Sequence, residues 1–303
     1  MIAIALFAWL AGRVPAPAPA GPEAIVLGIA QDGGVPHAGC HRDVCAEARQ
    51  DSSRRSLVAS LGLVDPAAGK RYLIDATPDF AEQMERLGGL PDAILLTHAH
   101  IGHYLGLAQL GREVLNAKKV PVYGTPSMAR FLRENRPWSR LVALGNIEVR
   151  ELEPGVELVL TPGIAVTAIR VPHRDEDSDT VAFLVRGPGR RVLWLPDIDK
   201  WAKWDRKLAE FLADPSLTAF VDGTFFSADE IPGRSLAEIP HPLVSETMAL
   251  VEADPSAKGR LVFVHLNHTN RLLWDRDAAR AVEERGFSVA REGETVSLAA
   301  PPE

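Results

Sequence analysis

Cysteine is nearly absent from this 303-residue chain: Cys40 and Cys45 are the only two. A cross-link between them would close one small loop, so the fold must rest on its apolar core rather than on a disulfide framework. Long hydrophobic runs are missing as well. Residues 2–11 are apolar, but a membrane-spanning helix needs roughly 20 such residues. Clusters of Lys and Arg are absent, and the net charge is −7. Binding a phosphate backbone calls for a basic stripe, so nucleic acid is not expected as a partner. The glycine-rich stretch Gln31-Asp32-Gly33-Gly34 lacks a following Lys-Ser/Thr and fits no dinucleotide fingerprint, so it reads as a tight turn. What remains is ordinary for a globular enzyme. Apolar residues make up 46% and charged residues 24%, enough to fill the core of one large domain or two small ones.

The chain is more telling in histidine. It holds nine, and three fall in Thr97-His98-Ala99-His100-Ile101-Gly102-His103, directly after the apolar run Ala93-Ile94-Leu95-Leu96. That pattern predicts a buried strand ending in a loop. Neutral imidazole is the commonest protein ligand for metals, and three in one loop can converge on an ion without long-range precision. Further candidate ligands and acids each close an apolar, β-prone run: Asp75, His173, Asp197 and His265. Singly, each would read as a turn residue.

Taken in order, the set resembles the His-x-His-x-Asp-His signature and later motifs of the metallo-β-lactamase fold superfamily, over residues 25–296. The resemblance implies a four-layer αββα sandwich with the metal at the loop edge between the sheets. It implies a first metal site from His98, His100 and His173, and a second from His103 and His265, with Asp197 bridging. Asp75 is implied to hydrogen-bond a ligand histidine or to orient water. One position departs: the family's loop Asp is Gly102 here. The second site is therefore expected to be weakened, and Gly102→Asp is expected to tighten it. The opening at residues 25–34 with the following cysteines, the segment Val221-Asp222-Gly223-Thr224-Phe225-Phe226 and the tail Val264-His265-Leu266-Asn267-His268-Thr269-Asn270 look like pyrroloquinoline quinone biosynthesis protein B-like proteins. A cyclic phosphodiesterase branch, with a structural zinc held by cysteines, is a less close resemblance.

Three readings of Cys40 and Cys45 stay open: a disulfide, a structural zinc completed by His37, His41 or the distant His241, and inert thiols. His268 is a further catalytic candidate. Asn267, Asn270 and Arg174 are candidates for holding substrate, against the plainer reading of Asn/Thr turns and a solvated Arg. The trio Trp194, Trp201 and Trp204 is read as core packing rather than as pocket lining.

Residues 1–22 read as a signal peptide or N-terminal anchor with a Pro/Ala linker, and residues 23–303 as the metallo-β-lactamase fold domain. Periplasmic or secreted placement follows, membrane-anchored if the segment is uncleaved, and cytoplasmic if the start codon is misassigned. No stable membrane insertion is expected beyond such an anchor. Strands are predicted over 25–29, 57–64, 71–75, 93–96, 120–123, 147–151, 164–171, 180–185, 191–195, 219–222, 261–265 and 295–298. Helices are predicted over 78–87, 105–115, 126–136, 203–213, 243–252 and 276–285. In the second of these, Leu107, Leu110 and Val114 share the core face.

The expected function is a metal-dependent hydrolase with one or two zinc ions. A metal-bound hydroxide would attack an ester, lactone, amide or phosphodiester of a small-molecule substrate. Two alternatives stand beside it: an iron-dependent oxidoreductase of the quinone-biosynthesis kind, and a metal-binding protein without catalysis.

Overall fold

The computed structural model describes residues 21–300 apart from 232 and 234. The segment read as a signal peptide or anchor lies outside the described residues, except Gly21 and Pro22. No helix among the described residues is long and apolar enough to cross a membrane.

Fourteen strands build two sheets among the described residues. In chain order, β1 (Glu23–Gly28), β2 (Ser60–Asp65), β3 (Lys70–Ile74), β4 (Ala93–Leu95), β5 (Val120–Gly124) and β6 (Ile147–Glu151) enter the first sheet. Then β7 (Glu157–Thr161), β8 (Ile164–Val171), β9 (Thr180–Arg186), β10 (Arg191–Leu195), β11 (Leu217–Asp222), β12 (Leu261–Val264) and β13 (Ser288–Val289) enter the second, and β14 (Thr295–Ser297) returns to the first. The strand orders are β14-β1-β2-β3-β4-β5-β6 and β13-β12-β11-β10-β9-β8-β7. The α-helices are α1 (Asp43–Gln50), α2 (Phe80–Arg86), α3 (Ile101–Tyr104), α4 (Pro126–Glu134), α5 (Trp138–Ala143), α6 (Leu208–Leu212), α7 (Val244–Val251) and α8 (Arg276–Glu284).

The strands are apolar on both faces because both faces are covered. Side chains alternate across a strand, and the cores divide accordingly. Val192 and Trp194 of β10, Tyr72 and Ile74 of β3, and Val262 and Val264 of β12 meet in the core between the sheets. Leu193, Leu195 and Phe263 point outward into a core closed by α6, α7 and α8. Leu73 and Ile94 point the other way, into a core closed by α2, α4 and α5. Helix–sheet–sheet–helix layering is the result.

Strand direction sets the position of the site. β3, β4 and β5 are mutually parallel, as are β10, β11 and β12, and β8 runs with β10 across the antiparallel β9. Their carboxyl ends therefore share an edge, where ligands of such sheets bind. Asp75, His98, His173, Asp197, Asp222 and His265 all stand at those ends.

Several expectations need correction. In place of the helix expected over 105–115, α3 ends at Tyr104 and a 3-10 turn follows over Leu105–Leu110. Leu107 and Leu110 are buried, but Val114 is 63% exposed. Gly111 leaves the turn in an extended conformation, with φ −64 and ψ 169, so the helical period never reaches Val114. The helix expected over 203–213 shrinks to α6, and α1, α5, β7 and β13 were not anticipated. The three tryptophans pack in cores: Trp194 lies between the sheets, and Trp201 and Trp204 pack in the second sheet's outer core.

Candidate metal centre

The histidine loop leaves β4 and turns directly into α3, which brings His98, His100 and His103 to the sheet edge. Thr97 anchors its start. The Thr97 N–H donates to Asp75 Oδ1 at 2.8 Å, and its carbonyl accepts from Val181 N–H of the second sheet at 3.1 Å. Asp75 is fully buried and holds φ 66, and His265 holds φ 64. Left-handed backbone at a non-glycine residue costs about 1–3 kcal/mol and gathers where geometry is imposed for function. Both residues lie at this edge.

Four groups of ligating atoms form here, each within 4.8 Å: His98, His100 and His173; Asp32, His103 and His265; His98, His103 and Asp197; and His173, Asp197 and His241. Asp197 is the hub. Its Oδ2 lies 3.1 Å from His103 Nε2 and 3.2 Å from His265 Nε2, and its Oδ1 lies 3.6 Å from His173 Nε2. Asp32 Oδ1 lies 3.5 Å from His103 Nε2. His98 Nε2 and His100 Nδ1 are 2.8 Å apart.

These atoms fit a metal. His103 Nε2, His265 Nε2, both ring nitrogens of His173, Asp197 Oδ2 and Asp32 Oδ1 are buried without a hydrogen-bond partner. Native proteins leave few such atoms, and each asks for an explanation. Bonds of 2.0–2.1 Å to a tetrahedral ion put ligand atoms about 3.3 Å apart. The separations of 3.1–3.6 Å match that spacing. At His103, His265 and His98 the nitrogen turned away from the centre is held, whereas both nitrogens of His173 are without a partner. Asp75 Oδ2 is 2.8 Å from His103 Nδ1, Thr224 Oγ1 is 3.1 Å from His265 Nδ1, and Thr97 Oγ1 is 3.0 Å from His98 Nδ1. Such partners fix the tautomer of a ligating imidazole.

Charge follows burial and neighbours. Burial drives His98 well below the usual imidazole range, lowers His265, and takes His173 down to about 4. These rings are held neutral, the form that donates to a cation. Burial also opposes charge on His103, but Asp75, Asp197 and Asp32 outweigh it and raise that ring well above its ordinary value. Against the cost of burial, His265 and His103 hold Asp197 well below the carboxylate range.

Other candidates separate. Arg174 is at the outer lip, its Nη2 3.4 Å from His100 Nδ1, while Glu176 Oε2 is 2.8 Å from His100 Nε2. Asn270 is spent on structure: its amide donates to the Gly223 carbonyl at 2.6 Å and its Oδ1 accepts from Leu272 N–H, so it is not free to hold substrate. Asn267 donates to Gln31 Oε1 and caps Thr269 N–H. His268 joins no ligand group among the described residues. Its ring stacks on His37 at 4.3 Å, beside the cysteine loop. His241 is not a partner of the cysteines either. Its Nδ1 lies 2.7 Å from Asp222 Oδ2 and 3.9 Å from Asp197 Oδ1. The Pro-His-Pro turn carries it to the carboxyl end of β11 instead. Cys40 and Cys45 are unbridged, and no three-ligand group among the described residues includes either. Cys45 Sγ accepts from His37 N–H at 3.3 Å.

Asp32, Asp222 and Thr224 were missed as site residues. Asp32 carries the same signal as Asp75 and Asp197, an acid following an apolar strand. The glycines beside it drew the whole stretch into a tight-turn reading. The turn is real, since Gly34 N–H donates to the Gln31 carbonyl at 2.8 Å, but it presents Asp32 to the centre.

The profile of the Beta-lactamase superfamily domain matches residues 70–266. Coenzyme PQQ synthesis protein B of Methylorubrum extorquens (strain PA1) is 28% identical, over 90% of this chain and 99% of its own length. The protein of that name from Rhizobium meliloti is 28% identical over 90% and 97%. Among solved structures, Zn(2+)-bound PqqB from Methylobacterium extorquens superposes with a TM-score of 0.74 at 23% identity, covering 90% of this chain and 99% of that one. A diphosphatase from the PhnP family gives 0.66 at 24% identity, covering 91% and 96%.

Proposed function

The chain belongs to the β-lactamase superfamily, and from that premise we propose that it is a metal-dependent hydrolase acting on a small molecule through an ester, lactone, amide or phosphodiester bond. The observation that carries the reading is the ring of partnerless buried nitrogens and carboxylate oxygens around Asp197. All of the ligating atoms are nitrogen or oxygen, the donors suited to zinc at catalytic sites. His98, His100 and His173 would hold one ion and His103, His265 and Asp32 a second, with Asp197 between them. A divalent ion bound there supplies Lewis acidity, lowering the pKa of water toward about 7 and polarising the electrophile.

The rest is the work of the chain. Asp75 accepts from His103 and holds its Nε2 toward the centre. Arg174, half-exposed at the lip beside Glu176, would meet an anionic substrate group. The buried His241–Asp222 pair lies beside Asp197 on the side of His173. With Nδ1 bonded to Asp222, Nε2 is the nitrogen left to deliver a proton to a leaving group. Asp222 is itself fixed by Thr224 N–H and Ile198 N–H, so the pair is preorganised for proton transfer.

A second reading, iron-dependent oxidation, draws on the 28% identity to coenzyme PQQ synthesis protein B over 90% of the chain. One experiment tests both. Protein loaded with zinc or with iron is assayed against p-nitrophenyl esters, lactones and bis(p-nitrophenyl) phosphate, with and without oxygen. Hydrolysis by the zinc form without oxygen is expected. In that form His241→Gln should lower kcat by about 10²-fold or more while leaving metal content unchanged. Turnover only with iron and oxygen would overturn hydrolysis in favour of oxidation, and tight metal binding without turnover would favour a carrier.

A further inference from the structure

We propose that this chain has moved the carboxylate of its second metal position from the histidine loop to the turn after β1: Asp32 is the ligand, and glycine at 102 is the vacancy that admits it. The inference rests on the metal-centre reading above and assigns a ligand within it.

The two positions compete for one space. A Cβ added at Gly102 would lie 2.1 Å from Asp32 Oδ1 and 2.7 Å from Asp32 Cα. Contacts that short do not occur, so a side chain at 102 and Asp32 in its present place exclude one another. The displaced atom is the one aimed at the centre. Asp32 Oδ1 is buried, has no hydrogen-bond partner, and faces His103 Nε2 at 3.5 Å. With His103 and His265 it completes a three-ligand group.

The turn that carries Asp32 is tied to the loop that carries His265. Leu266 N–H donates to the Ile29 carbonyl at 2.8 Å and Gln31 N–H donates to the Leu266 carbonyl at 2.9 Å. Ala30 bridges both Val58 and Leu266, and Asn267 Nδ2 donates to Gln31 Oε1 at 2.5 Å. Gly33 is required on the far side, where a Cβ would meet the His37 ring at 2.5 Å. Asp32 and His265 are thus held on one rigid unit spanning the two sheets, which suits joint ligation of a divalent cation.

Zinc titration against a chelating dye reads the proposal directly, on the full chain, with stoichiometry by elemental analysis. Wild type should take up two equivalents. Asp32→Asn, which keeps the shape and removes the charge, should hold the first and bind the second ~10-fold more weakly or worse. Gly102→Asp alone should also weaken the second, against the tightening expected from the sequence, because the new side chain falls on Asp32. The exchange Asp32→Gly/Gly102→Asp should recover it. Two equivalents at unchanged affinity in Asp32→Asn would overturn the proposal, as would one equivalent in both it and wild type. Tighter binding by Gly102→Asp alone would do the same. A wild type that takes up no zinc would sink the metal-centre reading itself, and the proposal with it. Circular dichroism and Tm of each variant separate loss of a ligand from loss of fold.

Discussion

At the scale of single residues, the account turns on which imidazole nitrogens are free. His98 Nε2 and His100 Nδ1 face one another at 2.8 Å, with His173 beside them. His98→Ala should therefore remove one equivalent of metal together with activity, and elemental analysis beside an activity assay checks this. Full metal content in that variant would refute the assignment of the first position. The residues legible in the sequence were those that closed apolar strands or sat in the histidine loop. His98, His100, His103, His173, Asp197 and His265 are brought together at one edge. Asp32 was illegible for a local reason, because its neighbouring glycines explain the turn without it. His241 was illegible for a topological one, because nothing in Pro-His-Pro says which strand end the turn meets. Adjacency to His265 says little about Asn270 and His268: the chain turns there, Asn270 is bonded to Gly223 and Leu272, and His268 stacks on His37.

At the scale of elements, the core strands were readable as near-continuous apolar runs because both faces are buried, and short 3-10 segments were not, because their period is not that of a helix. Leu107 and Leu110 fit either geometry, and only Val114 distinguishes them. What joins the sheets is less visible from sequence. Tyr72 of β3 donates its hydroxyl to the Leu160 carbonyl of β7 at 3.0 Å, a bond from one sheet to the other. Tyr72→Phe is predicted to cost about 1 kcal/mol in a urea melt. Burial, and then the carboxylates Asp92 and Asp65, push the Tyr72 phenol up to about 12 from an ordinary value of 10. A folded-state pKa above the unfolded one means stability that is full below pH 10 and is lost as pH rises toward 12. The stability difference between wild type and Tyr72→Phe should therefore narrow over that interval. A difference independent of pH would show that this phenol titrates as it does in the unfolded chain.

At the scale of the molecule, the two sheets meet the solvent with their strand ends, and the centre sits where residues of both must register within a few tenths of an ångström. Asp75, His98 and His103 come from the first sheet, and His173, Asp197 and His265 from the second. Bound metal should therefore act as a clasp between halves. Ions that bind only the native state raise stability by mass action, by about 2.7 kcal/mol at a hundredfold excess over Kd. Chelation is predicted to lower Tm and to restore it on adding zinc back. A Tm indifferent to chelator would mean that the sheets need no ion to hold their register.

Metal content per chain, measured on protein purified without added metal or metal-affinity steps, decides whether this edge is a metal centre. Close to two equivalents of a divalent metal are expected, with zinc favouring hydrolysis and iron favouring oxidation. A chain that carries no metal, and takes none up on dialysis against zinc, would contradict this.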